Sequence, residues 1–185
     1  MSESRQSVSR RQAIKAAGAA TLAAVGMRAV HAQSPSSDVI KVGLVGAGGR
    51  GTGAMMQTLA VPGSNVKLTA IADVYDWSIA NAVKQAGPME DKFDCPEDRR
   101  FQGLDGYQKA LDLCDLVILA TPPAFRPYHF AAAVKAGKHV FMEKPVCIDA
   151  TGARMVLETA QQADEKKLKV VVGLQRHYED KYRQT

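Results

Sequence analysis

Six residues constrain this chain more than any others: Gly46-Ala47-Gly48-Gly49-Arg50-Gly51. They follow a β-branched run, VIKVGLV at residues 39–45, which predicts a buried strand. They open a helix predicted over residues 50–60. A G-x-G-x-x-G pattern set between a strand and a helix marks the first turn of a dinucleotide-binding βαβ unit. In such a turn Gly46 permits the tight bend. Gly48 lets a pyrophosphate approach the backbone with no Cβ in the way, and Gly51 allows the helix to pack close to the strand. Gly49 and Arg50 complete the loop, and the helix start offers unpaired N–H groups and partial positive charge to phosphates. A glycine-rich turn without a ligand would carry the same letters. The strand before it and the helix after it favour binding.

The rest of the body repeats the alternation. Strands are predicted at residues 66–72, 100–102, 116–120, 139–142 and 170–174, with helices near residues 76–86, 106–113, 127–136 and 151–166. Gly87-Pro88 stops the second helix, and the stretch from 88 to 104 reads as irregular and charged apart from its short strand. Phe130, Ala133 and Val134 share one face of the fourth helix; Ala153, Val156, Leu157, Ala160 and Ala163 recur at helical spacing in the fifth. Six strands with interleaved helices predict an α/β fold, a doubly wound parallel sheet covered on both faces, with ligands at the carboxyl ends of the strands.

Asp73 ends the second predicted strand, 22 residues after Gly51. A carboxylate there is placed to accept hydrogen bonds from an adenosine ribose, and it would repel a 2′-phosphate. Neither Val74 nor Tyr75 supplies a cation. NAD is therefore favoured over NADP, although Arg50 could reach the same edge of the site. A solvated strand-end carboxylate is the plainer alternative for Asp73.

Net charge at first suggests an anionic polymer as partner. The chain carries +5, but residues 1–32 hold five bases and one acid, whereas the remaining 153 residues hold 19 bases and 18 acids. The body is close to neutral, so no nucleic-acid partner is expected. The leader has paired arginines (Arg10, Arg11), an Ala-rich apolar stretch over residues 16–25, and Val30-His31-Ala32 before Gln33. That order describes an export signal of the twin-arginine kind, delivering a folded protein to the periplasm. Residues 33–38 read as a linker. No later segment has the ~20 apolar residues a membrane helix needs. Cys95, Cys114 and Cys147 contain no CxxC pair, so they are read as isolated thiols, with no metal site.

Family resemblance enters in the second half, through Ala120-Thr121-Pro122-Pro123, Ala136-Gly137-Lys138-His139-Val140 and Glu143-Lys144-Pro145. Together with the glycine loop and Asp73, these residues resemble the N-terminal domain of the Gfo/Idh/MocA oxidoreductases over about residues 39–177. The resemblance implies that Thr121 and Pro122 line the nicotinamide side of a cleft and that Glu143 helps position the cofactor. It implies that Lys144 reaches the substrate hydroxyl and the cofactor ribose. A cation in that place would favour a developing alkoxide. It also implies a cis bond before Pro145 and a structural His129. Arg176, just past the sixth strand, is open between substrate contact and a solvated loop cation.

The family also has a second α/β domain, which supplies the general acid/base, most substrate contacts and the usual oligomer interface. Residues 39–175 are read as the dinucleotide-binding domain and 176–185 as the start of a truncated second one. The expected substrate is a sugar or polyol. A glycoside hydrolase of the same family and a noncatalytic NAD-binding module are the alternatives.

Overall fold

A computed structural model describes residues 39–184. The predicted leader and linker lie outside the described residues. Six strands form one parallel sheet: β1 (Ile40–Val45), β2 (Val66–Asp73), β3 (Arg100–Gln102), β4 (Leu116–Leu119), β5 (His139–Glu143) and β6 (Val170–Gly173). Their spatial order is β3-β2-β1-β4-β5-β6. The chain builds outward from β1 to β3, then returns to start again at β4 on the other side of β1. That reversal makes the β1/β4 junction the switch point, where the two helix layers part and a crevice opens beyond the strand ends.

Helices α1 (Gly49–Leu59) and α2 (Asp76–Ala86) cover one face. Helices α3 (Gly106–Asp112), α4 (Arg126–Lys135) and α5 (Ala150–Glu165) cover the other. The central strands are apolar almost throughout because both faces are buried, yet the two-residue period still sorts their side chains. Val42, Leu44, Leu68, Ile71 and Ile118 pack with Met55, Leu59, Ile79 and Ala82. Val45, Ala70, Ala72, Val117 and Leu119 pack with Leu111, Phe130, Ala133 and Val134. A register shift between Val42/Gly43 and Leu68/Ala70 accommodates Thr69, whose buried hydroxyl donates to the Leu113 carbonyl at 2.7 Å.

The predicted elements are all present, with ends moved by a residue or two. The stretch read as irregular contains 3₁₀ turns at Gly87–Lys92 and Glu97–Arg99. The apolar spacing of α5 needs one correction. Leu157 is 66% exposed, whereas Thr159 and Ala163 are buried. Thr159 lies inside because the helical phase set by Ala163 carries residues four apart to the same face. Short helices Gln175–Tyr178 (α6) and Asp180–Arg183 (α7) follow β6. In them Arg176 lies over the Tyr182 ring at 5.2 Å. None of the described helices is long and apolar enough to cross a membrane.

The β1–α1 junction is the tightest place in the fold. Gly46 has φ +90°, a left-handed conformation that L side chains rarely adopt. A Cβ on Gly51 would lie 1.8 Å from the Gly46 carbonyl oxygen. By contrast, a Cβ on Gly48 or Gly49 would meet no protein atom within 4 Å. Gly51→Ala is therefore expected to cost about 1–3 kcal/mol, as overpacking does, and Gly48→Ala almost nothing. Urea unfolding of both variants checks this, with a lowered midpoint for the first alone.

Candidate functional site

Four segments converge at the carboxyl ends of the central strands: the glycine loop after β1, Asp73 at the end of β2, Thr121-Pro122 after β4, and Glu143-Lys144-Pro145 at and beyond the end of β5. Hydrogen bonds fix the loop from both sides. The Gly46 N–H donates to the Ala72 carbonyl at 2.8 Å. Thr52, almost completely buried, donates its hydroxyl to the Ala47 carbonyl at 3.0 Å and its N–H to Gly48 at 2.9 Å. The first-turn N–H groups of α1 then face outward from the strand end, without carbonyl partners earlier in the helix.

Asp73 serves this loop as well as facing the crevice. One carboxylate oxygen accepts the Ala47 N–H at 2.6 Å, and the other accepts the Tyr75 N–H at 2.9 Å. Two backbone donors thus hold the carboxylate in one orientation. An ionised carboxylate has about four acceptor positions, so the same group can still receive ribose hydroxyls. Beyond it, the exposed rings of Tyr75 and Trp77 stack with centroids 5.6 Å apart.

Arg50 does not sit where the sequence left it free to reach. Its Nε and Nη2 both donate to Glu143 Oε1, at 2.8 and 2.7 Å. Glu143 ends β5 and Asp73 ends β2, three strand spacings apart, or about 14 Å. The Arg50 cation is therefore drawn toward the β5 side and away from the edge where a 2′-phosphate would lie. Its partner Glu143 is buried, and a Cβ on Gly173 would come within 2.7 Å of the same carboxylate oxygen. The ion pair bridges the glycine loop to the β5 loop. Lys144, the next residue, is exposed at the rim, and the Lys144–Pro145 bond is cis.

Thr121 and Pro122 leave β4 beside Gly46. A Cβ on Gly46 would stand 2.6 Å from the Thr121 nitrogen, so the two turns touch through their backbones. Thr121 Oγ1 lies 3.0 Å from His129 Nδ1. His129 is buried against the Tyr107 ring, with centroids 4.3 Å apart. Burial, with the Arg126 charge adding to it, lowers the His129 pKa to about 4 and keeps the ring neutral. The structural role read for His129 is the one it has here.

One residue of this region escapes a sequence reading. Arg126, 3% exposed, donates from Nη1 to the carbonyls of Glu143 (2.7 Å) and Pro145, and from Nη2 to the carbonyl of Thr121. Burial pulls its pKa below the ordinary arginine value, and the Glu143 carboxylate opposes that pull. A signal for it was present. Arg126 stands four residues before Phe130 and seven before Ala133, on the apolar phase of the helix, where a charge needs partners.

Cys95 and Cys114 are buried, and Cys147 is half-buried. Burial pushes the Cys95 and Cys114 thiols up to about 11, far from the range of a reactive thiolate. Among the described residues, no group of three or more His, Cys, Asp or Glu side chains is arranged to hold a metal ion.

Known proteins are similar to this chain in sequence and in fold. The chain is 28% identical over 181 residues to a glycosyl hydrolase family 109 protein of Shewanella putrefaciens, covering 85% of this chain and 38% of that protein. An alpha-N-acetylgalactosaminidase of Shewanella oneidensis is 27% identical over 184 residues, with the same coverage. Among solved structures, scyllo-inositol dehydrogenase from Lactobacillus casei with bound NAD(H) and scyllo-inositol superposes with a TM-score of 0.61 at 28% identity. That match covers 80% of this chain and 39% of that one. The chain thus spans well under half the length of these relatives. The family model described as "Oxidoreductase family, NAD-binding Rossmann fold" matches residues 40–173. That span is most of the sequence, and the chain accordingly belongs to the Gfo/Idh/MocA oxidoreductase family, whose NAD-binding Rossmann domain it carries.

Proposed function

We propose that this chain binds NAD across the β1/β4 crevice as the cofactor half of an oxidoreductase acting on a CH–OH group of a sugar or polyol. One observation carries the reading. Two of the loop glycines are explained by the protein itself, Gly46 by its backbone angle and Gly51 by its contact with Gly46. Gly48 and Gly49 have no such reason, since a Cβ on either would enter open space. Their bareness suits a ligand that comes against the backbone, above the first turn of α1.

In this reading Gly46, Gly48, Gly49 and Gly51 shape the cradle for the pyrophosphate, and Arg50, anchored by Glu143, adds a countercharge beside it. Asp73, already oriented by Ala47 and Tyr75, accepts the adenosine ribose hydroxyls. Thr121 and Pro122 border the nicotinamide, and Glu143 holds the far side of the cleft through Arg50. Bound NAD would supply the hydride acceptor. Lys144 would lie against the substrate oxygen, where its ammonium favours the alkoxide that develops as hydride leaves carbon. The body's own contribution is therefore positioning and charge, with remaining substrate contacts lying beyond the residues described.

The relatives named as glycosyl hydrolases favour a second reading, a glycoside hydrolase that oxidises its sugar transiently, eliminates the leaving group and then returns the hydride. The same cofactor residues would serve both. The two differ in their redox balance, because only the first leaves NADH behind.

NADH fluorescence titration of the chain tests the shared part. NADH should bind at least about tenfold more tightly than NADPH, a difference near 1.4 kcal/mol, because Asp73 meets the 2′ position with a negative charge. A clear preference for NADPH would contradict the assignment of Asp73. Gly48→Ala should weaken NADH by a similar factor while leaving the unfolding midpoint in place. Incubation of the complete enzyme, of which this chain is the cofactor half, with NAD and either a polyol or an aryl glycoside separates the two reactions. Net NADH accumulation supports the oxidoreductase, and aryl alcohol release at constant NADH supports the hydrolase.

A further inference from the structure

We propose that Arg126 is a positioning residue for the nicotinamide half of the site, joining the Thr121 turn to the loop that carries Lys144. This inference rests on the nucleotide-binding reading above. Arg126 stands in the first turn of α4, after Phe125 at the N-cap. A cation is unfavourable there, because the helix N-terminus is itself positive. It is also buried, and its Nε has no acceptor among the described residues. A core position would be filled at lower cost by an apolar side chain of similar volume.

What the guanidinium does instead is unusual in its targets. Its bonds run to three main-chain carbonyls: Thr121 beyond β4, and Glu143 and Pro145 at and beyond the end of β5. Glu143 and Pro145 flank Lys144 on either side. One rigid group therefore fixes the backbone before and after the lysine that faces the substrate oxygen. It fixes the same backbone relative to the turn that borders the nicotinamide. His129, one turn further along α4, holds the Thr121 hydroxyl, so this turn is gripped at both its carbonyl and its side chain. The Glu143 carboxylate in turn holds Arg50 of the glycine loop. That tie is made by the Glu143 side chain, whereas Arg126 holds the Glu143 main chain. Lysine could not replace Arg126 here, since a point donor cannot span three carbonyls as a planar fork does.

The adenosine half of the site lies beyond this clamp. Asp73 and the glycine loop are tied to each other by their own hydrogen bonds, none of which involves Arg126. Loss of the clamp should therefore be felt by the nicotinamide and not by the rest of the nucleotide. Arg126→Met and Arg126→Lys, each checked for fold by circular dichroism, are titrated with NADH and with ADP-ribose, which lacks only the nicotinamide. NADH affinity should fall by about tenfold or more in both, the scale of one or two lost charge-assisted hydrogen bonds. ADP-ribose affinity should stay within about threefold of the unaltered chain. Equal losses for the two ligands, or no loss for either, would overturn the inference and leave NAD binding intact. Failure of both variants to fold would overturn it too, by making Arg126 a folding residue. If the unaltered chain bound neither ligand, the nucleotide-binding reading itself would fall, and this inference with it.

Discussion

The contact between Gly51 and Gly46 sets the rest of the site. With no Cβ on Gly51, the first turn of α1 can rest on the carbonyl that ends β1, and any side chain there would occupy the space of that oxygen. The helix start is thereby held at the strand end, and its unpaired N–H groups are aimed into the crevice at the switch point. Because Gly46 also touches the backbone of Ala120 and Thr121, the β4 turn is brought beside the same loop. Two neighbouring strands thus deliver their chemistry to one place through backbone contact alone.

Polar ties then extend this core of backbone contacts outward. Asp73 captures the Ala47 N–H from the β2 side, and Glu143 captures Arg50 from the β5 side. Arg126 draws together the main chain of Thr121, Glu143 and Pro145. Each tie is made by a group that is at least partly removed from water, where an unmet partner would be costly. The four segments are consequently coupled before any ligand arrives. Such preorganisation reduces what binding must spend on ordering loops.

Much of this was legible in the sequence because the signals were local. The β-branched run before the glycines, the Gly87-Pro88 stop and the apolar phase of Phe130, Ala133 and Val134 each describe an element by itself, and each element formed. The three-residue β3 lies at the residues where a short strand is expected within the irregular, charged stretch. Side-chain partners across the sheet were not legible. The direction of Arg50 depends on Glu143, 93 residues later, and the same four methylene-and-nitrogen reach could have served the Asp73 edge. The apolar phase of α4 marks Arg126 as a charge that needs partners, but those partners are main-chain carbonyls, which no residue type reveals. Leu157 has an apolar type and helical spacing, but α5 turns its buried stripe toward Thr159 and Ala163.

Backbone amide spectra of the isotopically labelled chain, recorded with and without NADH, test the central claim most directly. The account predicts that the largest shifts fall on Gly48, Gly49 and the first turn of α1, with further shifts at Asp73–Tyr75 and at Thr121, and little change at the opposite ends of the strands. Shifts confined to other surfaces, or spectra unaltered by saturating NADH, would contradict it.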